Sequence, residues 1–167
     1  ITLRGSTFEQ VLILVNGVRM SDSQTGHNSM NVPFDLSSVE RIEIVKGPSA
    51  RSFGQSAYAG VINIITKPAA QQDATVSASA GDFGTWSLGL GVDFGTEKFS
   101  NFIQVGSSAS EGYRHNTDYK IKNIFYQTRA QVGKTKLNFQ AGIQEKKFGA
   151  NGFYATPAAT EQYEETQ

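Results

Sequence analysis

Apolar residues recur at every second position in several segments of the sequence that follow Pro68. In the clearest segment, Thr85 to Gly95, one set of alternate positions is Trp86, Leu88, Leu90, Val92 and Phe94. The intervening positions are Thr85, Ser87, Gly89, Gly91 and Asp93. Because successive side chains of a β-strand point to opposite faces of its sheet, this period of two predicts a strand with one apolar and one polar face.

The same alternation returns in four further segments, so this part of the chain is predicted to form about five strands of about ten residues each. The further segments contain residues 74–80, 103–105, 124–132 and 137–144. Strands of soluble sandwiches usually have about five or six residues, whereas tilted strands that cross an outer membrane need about 9 to 11. The strand length therefore favours membrane-spanning strands.

The connections between these segments alternate between short and long. Gly95 to Lys98 and Gly133 to Lys136 are predicted to be tight turns, whereas Glu111 to Asp118 and Glu145 to Gln167 are predicted to be long polar loops. Short turns at one end and long loops at the other are typical of a transmembrane β-barrel. A half-buried soluble meander has the same alternation, and these features alone leave that interpretation open.

The part of the chain before Pro68 has a different pattern, in which short apolar segments are separated by polar loops. Val11 to Val15 is a continuous apolar run, which predicts a strand buried on both faces, and the Asn16-Gly17 dipeptide after it predicts a turn. Ser21 to Asn31 is almost entirely polar and is predicted to be a surface loop. Two further short strands are predicted at Val39 to Lys46 and at Val61 to Thr66.

Composition excludes several classes of function. The 167 residues carry 15 Lys and Arg against 15 Asp and Glu, and this neutrality excludes the broad basic surface that nucleic-acid binding requires. The chain has no cysteine, which excludes disulfides, thiolate zinc sites and cysteine nucleophiles. No apolar run approaches the roughly 18 to 20 residues of a membrane helix, and the opening residues lack the pattern that predicts a signal peptide. Its start within a strand-like segment predicts a piece of a longer protein.

No pattern in the sequence predicts catalysis or a bound metal. His27 and His115 are the only histidines, and they lie far apart without a partner at metal-ligand spacing. Ser37 and Ser38 lack the context of a serine nucleophile, and the nearby carboxylates have no spacing that implies an acid–base pair. We therefore expect no enzyme activity, no cofactor and no metal site.

Three segments carry a resemblance to a known family. Val11 to Arg19 is VLILVNGVR, Arg41 to Pro48 is RIEIVKGP, and Gly54 to Lys67 is GQSAYAGVINIITK. In order and spacing they closely resemble the plug domain of TonB-dependent outer-membrane receptors. In that family an apolar strand with an Asp/Asn-Gly turn is followed by R-[IV]-E-x-x-[KR]-G-P and by G-x-x-A-x-x-G-V-[IV]-N-I-[IV]-T. The first barrel strand then follows directly.

The resemblance implies a mainly β fold with a small plug subdomain of short strands, followed by the first antiparallel strands of a transmembrane β-barrel. Residues 1–68 are then the C-terminal part of the plug, and residues 69–167 supply about five strands of a barrel of about 22. The energy-coupling box that precedes the plug in the family is not in this sequence. We expect it in a longer parent protein, together with the remaining strands.

The resemblance also implies a function. Such receptors lie in the bacterial outer membrane and import a scarce nutrient such as a metal chelate, with cobalamin and ferric siderophores as the leading substrates. The implied partners are a TonB-type energy-coupling complex, outer-membrane lipid and the small-molecule or chelate substrate. The alternatives are a surface ligand-binding or adhesin module without transport, a glycan importer, and a soluble β-rich ligand-binding domain.

Candidate binding residues follow from the places where these receptors hold their substrates, which are the plug tips, the barrel wall and the external loops. The plug-tip candidates are Asp22, Gln24, Thr25, His27, Asn28, Arg51, Phe53, Gln55 and Tyr58. The external-loop candidates are Tyr113, Arg114 and His115, with Asn116 beside them. Arg41 and Glu43 point the same way on one strand and are expected to contact the barrel wall, with a solvated strand face as the alternative.

Overall fold

The computed structural model describes residues 3, 5–7, 10–20, 31–47, 52–54, 56–67 and 72–151. Within these ranges the chain forms nine strands and one short 3-10 turn, and the prediction of a mainly β chain is confirmed. The chain divides into two units, Ile1–Val32 with Leu36–Pro68, and Pro33–Asp35 with Ala69–Gln167.

The first unit contains a four-stranded mixed sheet in the order β2-β1-β4-β3. Its strands are β1 (Val11–Val15), β2 (Val18–Met20), β3 (Val39–Lys46) and β4 (Gly60–Thr66). Strand β1 pairs antiparallel with β2 and parallel with β4, and β4 pairs antiparallel with β3. All five residues of β1 are buried, at 1 to 5% exposure, which confirms that this strand is covered on both faces.

The turn between β1 and β2 is formed by Asn16 and Gly17, which have φ angles of 51° and 80°. Both angles are positive, as a two-residue hairpin turn of type I′ requires. The Asn16 side chain also closes the end of β4, because its Nδ2 donates to Thr66 Oγ1 at 3.0 Å and its Oδ1 accepts from Thr66 N at 3.0 Å. Thr66 is fully buried, so these bonds satisfy polar groups that water cannot reach.

The second unit contains a five-stranded antiparallel meander in the order β5-β6-β7-β8-β9. The strands are β5 (Ala74–Ala80), β6 (Trp86–Thr96), β7 (Phe99–Ser110), β8 (Tyr119–Val132) and β9 (Thr135–Phe148). Two-residue turns join β6 to β7 and β8 to β9, whereas Glu111 to Asp118 connects β7 to β8. Among the described residues, β5 and β9 each pair with one neighbour only, so the sheet is not closed.

One predicted loop is wrong at its start. Glu145 to Phe148 were expected to begin a long polar loop, but they continue β9 and pair in register with β8, from Glu145 opposite Lys122 to Phe148 opposite Tyr119. Antiparallel backbone hydrogen bonds extend the strand past the apolar segment, whatever the polarity of its side chains. The remainder of the predicted loop, beyond residue 151, lies outside the described residues.

No helix in the described part of the chain is long and apolar enough to cross a membrane.

Candidate functional site

One face of the second sheet is apolar and exposed. The cross-strand register aligns five of its side chains in a single row, one from each strand: Val76, Leu90, Val105, Ile124 and Ile143. These side chains are 44 to 76% exposed. Trp86, Leu88 and Phe94, which the sequence also placed on this side, are exposed large apolar residues as well. We call this side of the sheet the apolar face.

The opposite side, which we call the polar face, carries buried amides. Gln104 and Gln127 are among the most buried side chains, at 1% and 0% exposure, and Asn123 is buried with them. Gln127 Nε2 donates to Asn138 Oδ1 of the neighbouring strand at 3.3 Å. This distribution is the reverse of a soluble meander, which buries its apolar side, and it is the distribution of strands whose outer side meets lipid.

A short segment from elsewhere in the chain lies on the polar face. Pro33–Asp35 follows the first hairpin in sequence but belongs to the second unit. The Phe34 ring packs edge-on against the Phe125 ring with centroids 5.0 Å apart, and the Asp35 backbone N donates to Gln104 Oε1 at 3.2 Å. Pro33 lies so close to the backbone of Gly142 that a Cβ at that position would collide with its ring.

Sequence reasoning missed this contact. The available signal was an apolar Val-Pro-Phe stretch after a long polar loop, since such residues need a partner surface. Gln104 belongs to the same arrangement, and its Nε2 has no hydrogen-bond partner among the described residues. A buried N–H group without a partner costs about 1 to 3 kcal/mol.

In the first unit, a chain of polar contacts crosses the sheet. Arg41 Nε donates to Glu43 Oε1 at 2.9 Å, and Arg41 Nη1 donates to Glu40 Oε1 at 2.8 Å. Asn63 Nδ2 donates to Glu43 Oε2 at 3.1 Å, and Asn63 Oδ1 accepts from Gly17 N at 3.0 Å. The hydrogen bond to Glu43, helped by the charges of Glu40 and Glu43, raises the pKa of Arg41. Arg41 and Glu43 thus share one face, as predicted, and pair with each other.

The predicted external-loop residues lie together in the β7–β8 connection. Tyr113 is exposed, and the Arg114 guanidinium lies over its ring, 5.0 Å from the centroid. The His115 backbone carbonyl accepts a hydrogen bond from the Asn151 side chain. The loop thus presents an aromatic ring and a cation side by side, a pair that can stack on or pair with a polar ligand.

Two of the nine predicted plug-tip residues lie in the described part of the chain. Phe53 and Tyr58 are described, and both side chains are exposed. The others lie outside the described residues: Asp22, Gln24, Thr25, His27, Asn28, Arg51 and Gln55. Within the part of the chain that the structure describes, no group of three or more His, Cys, Asp or Glu residues could hold a metal ion.

Comparison with known proteins gives a consistent result. Residues 1–61 match the family described as TonB-dependent Receptor Plug Domain. The vitamin B12 transporter BtuB of Vibrio cholerae is 40% identical over 114 residues, which cover 66% of this chain and 18% of the transporter. A hemin receptor of Yersinia enterocolitica is 35% identical over 144 residues, which cover 74% of this chain and 20% of the receptor.

Solved structures share the fold. The pyoverdine outer membrane receptor FpvA of Pseudomonas aeruginosa PAO1 superposes with a TM-score of 0.71 at 18% identity, over 87% of this chain and 22% of that receptor. The siderophore receptor PirA of Pseudomonas aeruginosa superposes with a TM-score of 0.68 at 25% identity, over 90% of this chain and 28% of that receptor. The chain thus spans 18 to 28% of the length of these relatives.

These relatives are transporters and receptors, and the resemblance seen in the sequence is confirmed by both the family match and the fold. A plug domain and an antiparallel sheet with an exposed apolar face occur together in one chain. The chain belongs to the TonB-dependent receptors of the outer membrane.

Proposed function

We propose that this chain is part of a receptor that binds a metal-chelate nutrient at the cell surface and imports it with energy from a TonB-type complex. The observation that carries the proposal is the 40% identity to a vitamin B12 transporter over 114 residues, beside the plug-domain match of residues 1–61. Residues 1–68 act as plug and residues 69–167 as the first strands of the surrounding wall. The receptor binds and translocates its substrate without a catalytic step.

The proposed substrate is a cobalamin. Several relatives are vitamin B12 transporters from different Vibrio and Photobacterium species, and one of them matches over 94% of this chain. Hemin is the second candidate, because the hemin receptor matches over 144 residues at 35% identity. Both molecules are large metal chelates with polar substituents, which suits a site made of polar loops and a few aromatic rings.

The proposed binding residues lie in two places, the plug tips of the first unit and the external loop of the second. The exposed rings of Phe53 and Tyr58 offer stacking surfaces at one tip. In the loop, the stacked pair of Tyr113 and Arg114 offers a ring and a cation, with His115 next in sequence. The sequence adds the polar tip residues Asp22, Gln24, Thr25, His27, Asn28, Arg51 and Gln55. Hydrogen bonds from such groups fix the orientation of a polar ligand.

Arg41 and Glu43 have a separate proposed role. Their side chains are about half exposed, and the pair is held by Glu40 and Asn63 in a fixed geometry. A fixed, exposed ion pair can form charge-assisted hydrogen bonds with an opposing wall at little further entropic cost. We propose that the pair contacts the barrel wall in the assembled receptor.

Uptake assays test the function. The receptor, at its full encoded length, is expressed in cells that lack their own cobalamin and hemin receptors, and uptake of cyanocobalamin, hemin and ferric enterobactin is compared. We expect energy-dependent uptake of cyanocobalamin that stops when TonB is deleted. Hemin uptake alone would support the second candidate. Surface binding of cyanocobalamin without uptake in TonB-positive cells would support the adhesin-like module and contradict import.

A loop exchange tests the site. Replacing Gln24 to Asn28 with Gly and Ser residues should lower cyanocobalamin affinity at least tenfold, about 1.4 kcal/mol, while the barrel still assembles. The matched control is the same exchange in Thr96 to Lys98, at the turn between β6 and β7, which should leave affinity unchanged. Equal losses from both exchanges would indicate misfolding, and no loss from the first would place the site elsewhere.

A further inference from the structure

The apolar face of the second sheet becomes charged toward one end. The charged residues are Lys120 and Lys122 on β8 and Glu145 and Lys147 on β9. Along β8 and β9 these residues are separated from Ile124 and Ile143 by even numbers of positions. Their side chains therefore lie on the apolar face and not on the polar face. This end carries the long β7–β8 connection, and we call it the loop end.

The register concentrates positive charge in this cluster. Lys120 lies directly opposite Lys147, and Lys122 lies directly opposite Glu145. Like charges at directly opposed positions of a sheet are destabilising. The single carboxylate is held by Lys147, whose Nζ lies 3.4 Å from Glu145 Oε1. Neither Lys120 nor Lys122 has an ion pair with any other described residue, so three lysines face one carboxylate and the cluster favours an anion.

Two cavities adjoin at this position. A small polar one, of about 70 Å³, is lined by the four charged residues. A larger and mostly apolar groove, of about 390 Å³, is lined by Val105, Ile124 and Ile143 and also by Lys122 and Glu145. The two cavities therefore share Lys122 and Glu145, and the groove leads from the apolar row to the lysines.

Small residues of β7 leave room beside the lysines. Ser107 lies opposite Lys122, and Ala109 lies opposite Lys120. A larger side chain at either position would fill the space next to the ammonium groups. The surface thus combines an apolar channel and a cationic end within one face of three adjacent strands.

We propose that this surface binds a phosphate-bearing lipid of the outer leaflet, with a phosphate held by Lys120, Lys122 and Lys147 and an acyl chain in the groove beside Ile124. Charge complementarity selects the anionic head group, and the adjoining groove favours a lipid over a soluble anion. At the boundary of a bilayer, the lipid head groups adjoin the acyl chains. Lysines at the end of an apolar band of the protein reach those head groups, while the band itself contacts the acyl chains. The proposal rests on the outer-membrane location and does not depend on which nutrient is imported.

Lipid retention on the purified receptor tests the proposal. The receptor, at its full encoded length, is delipidated in detergent, and native mass spectrometry counts bound bisphosphorylated lipid A, monophosphorylated lipid A and inorganic phosphate. The test variant is Lys120→Gln/Lys122→Gln/Lys147→Gln. The matched control is Lys98→Gln/Lys134→Gln/Lys136→Gln, which removes three lysines at the opposite end of the same strands.

We expect the test variant to bind bisphosphorylated lipid A at least tenfold more weakly, and the control variant to bind it like the wild type. The wild type should prefer the bisphosphorylated to the monophosphorylated lipid, and it should not retain inorganic phosphate. Equal retention by the wild type and the test variant would overturn the proposal, and so would equal losses in the test and control variants. Retention of inorganic phosphate at the same affinity would show that the groove is not used.

Two further measurements separate this site from other effects. Val105→Trp fills the groove without changing charge and should weaken lipid binding; unchanged lipid binding would overturn the acyl-chain assignment. Lys122→Gln alone, which touches both cavities, provides the same test if the triple variant does not assemble. Cyanocobalamin affinity, measured in parallel, should be unchanged in all variants, so that failure of the lipid proposal and failure of the import proposal remain distinguishable.

Discussion

The two sheets of this chain place similar apolar side chains in opposite environments. In the first sheet, every residue of β1 is buried, and Leu12 and Leu14 pack against Ala57 and Val61. In the second sheet, large side chains such as Leu88 and Ile143 are exposed, whereas the buried positions hold amides and two phenylalanines, Phe102 and Phe125. Both sheets therefore contain large apolar side chains, and the two units differ in whether most of those side chains are buried. The arrangement of the apolar residues along the strand and the pairing of the strand decide where they lie.

Strand pairing explains the difference. Strand β1 pairs in parallel with β4, and parallel strands are stable where both faces are covered, so a continuous apolar run suits them. The second sheet is antiparallel throughout, and antiparallel sheets bury one face only. Alternation then assigns one side of each strand to lipid and the other to a polar interior. The comparison predicts different responses to the same type of substitution in the two sheets.

The largest effect is expected from truncating a side chain in the first core. Leu14→Ala should destabilise the plug by about 2 to 5 kcal/mol, because it removes buried methyl groups from a packed cluster and leaves a cavity. Urea unfolding of the receptor, followed by proteolysis within the plug, measures the loss. Leu88→Ala is the matched control on the apolar face and should cost much less. Equal costs would contradict the assignment of the two environments.

The next effect concerns the lipid-facing row. Leu90→Arg should cost about 2 to 4 kcal/mol, since a cation near the bilayer midplane is poorly solvated. Folding titrations in liposomes measure this change. Ser87→Arg, on the opposite face of the same strand, is the control and should be tolerated better. If Leu90→Arg is silent and Ser87→Arg prevents assembly, then the two faces of β6 are assigned the wrong way round.

These faces could be predicted because alternation is a local property of the sequence. The period of two in β6 placed Trp86 and Leu90 on the same face, and the structure does so too. The apolar run of β1 likewise predicted a strand buried on both sides. In both cases, the pattern within a single strand was sufficient, because side-chain direction depends only on position along the strand.

Features that depend on pairing could not be predicted in the same way. Lys120 and Lys147 lie opposite each other only because β8 and β9 pair in one particular register. The sequence also predicted that β9 ends before Glu145. The contact of Pro33 with Gly142 requires a segment of the chain to return to a distant strand. Both arise from the three-dimensional arrangement, which no single segment of the sequence encodes.

The contact of Pro33 with Gly142 provides a third test. Gly142→Leu should destabilise the second unit by about 1 to 3 kcal/mol, because the new side chain would displace Pro33 and overpack the polar face. Urea unfolding of the assembled receptor measures it. Ala141→Leu adds the same side chain one residue earlier, on the exposed apolar face, and should be near neutral. If both variants are neutral, the Pro33–Asp35 segment does not lie against β9.

The smallest expected effect compares two tight turns, of which the first has positive φ angles at both Asn16 and Gly17 and the second at Gly133. Asn16 and Gly133 both have positive φ angles, but Asn16 bonds to buried Thr66, whereas nothing lies within 4 Å of a Cβ built on Gly133. Asn16→Ala should therefore cost about 1 to 2 kcal/mol from lost hydrogen bonds, and Asn16→Asp should cost less because it keeps an acceptor for the Thr66 N–H. Gly133→Asn should cost less than Asn16→Ala, since asparagine adopts positive φ angles more readily than other side chains and meets no neighbour there. Urea unfolding of the three variants gives the ranking, and a larger loss at Gly133 than at Asn16 would show that turn conformation outweighs the side-chain bonds that close the end of β4.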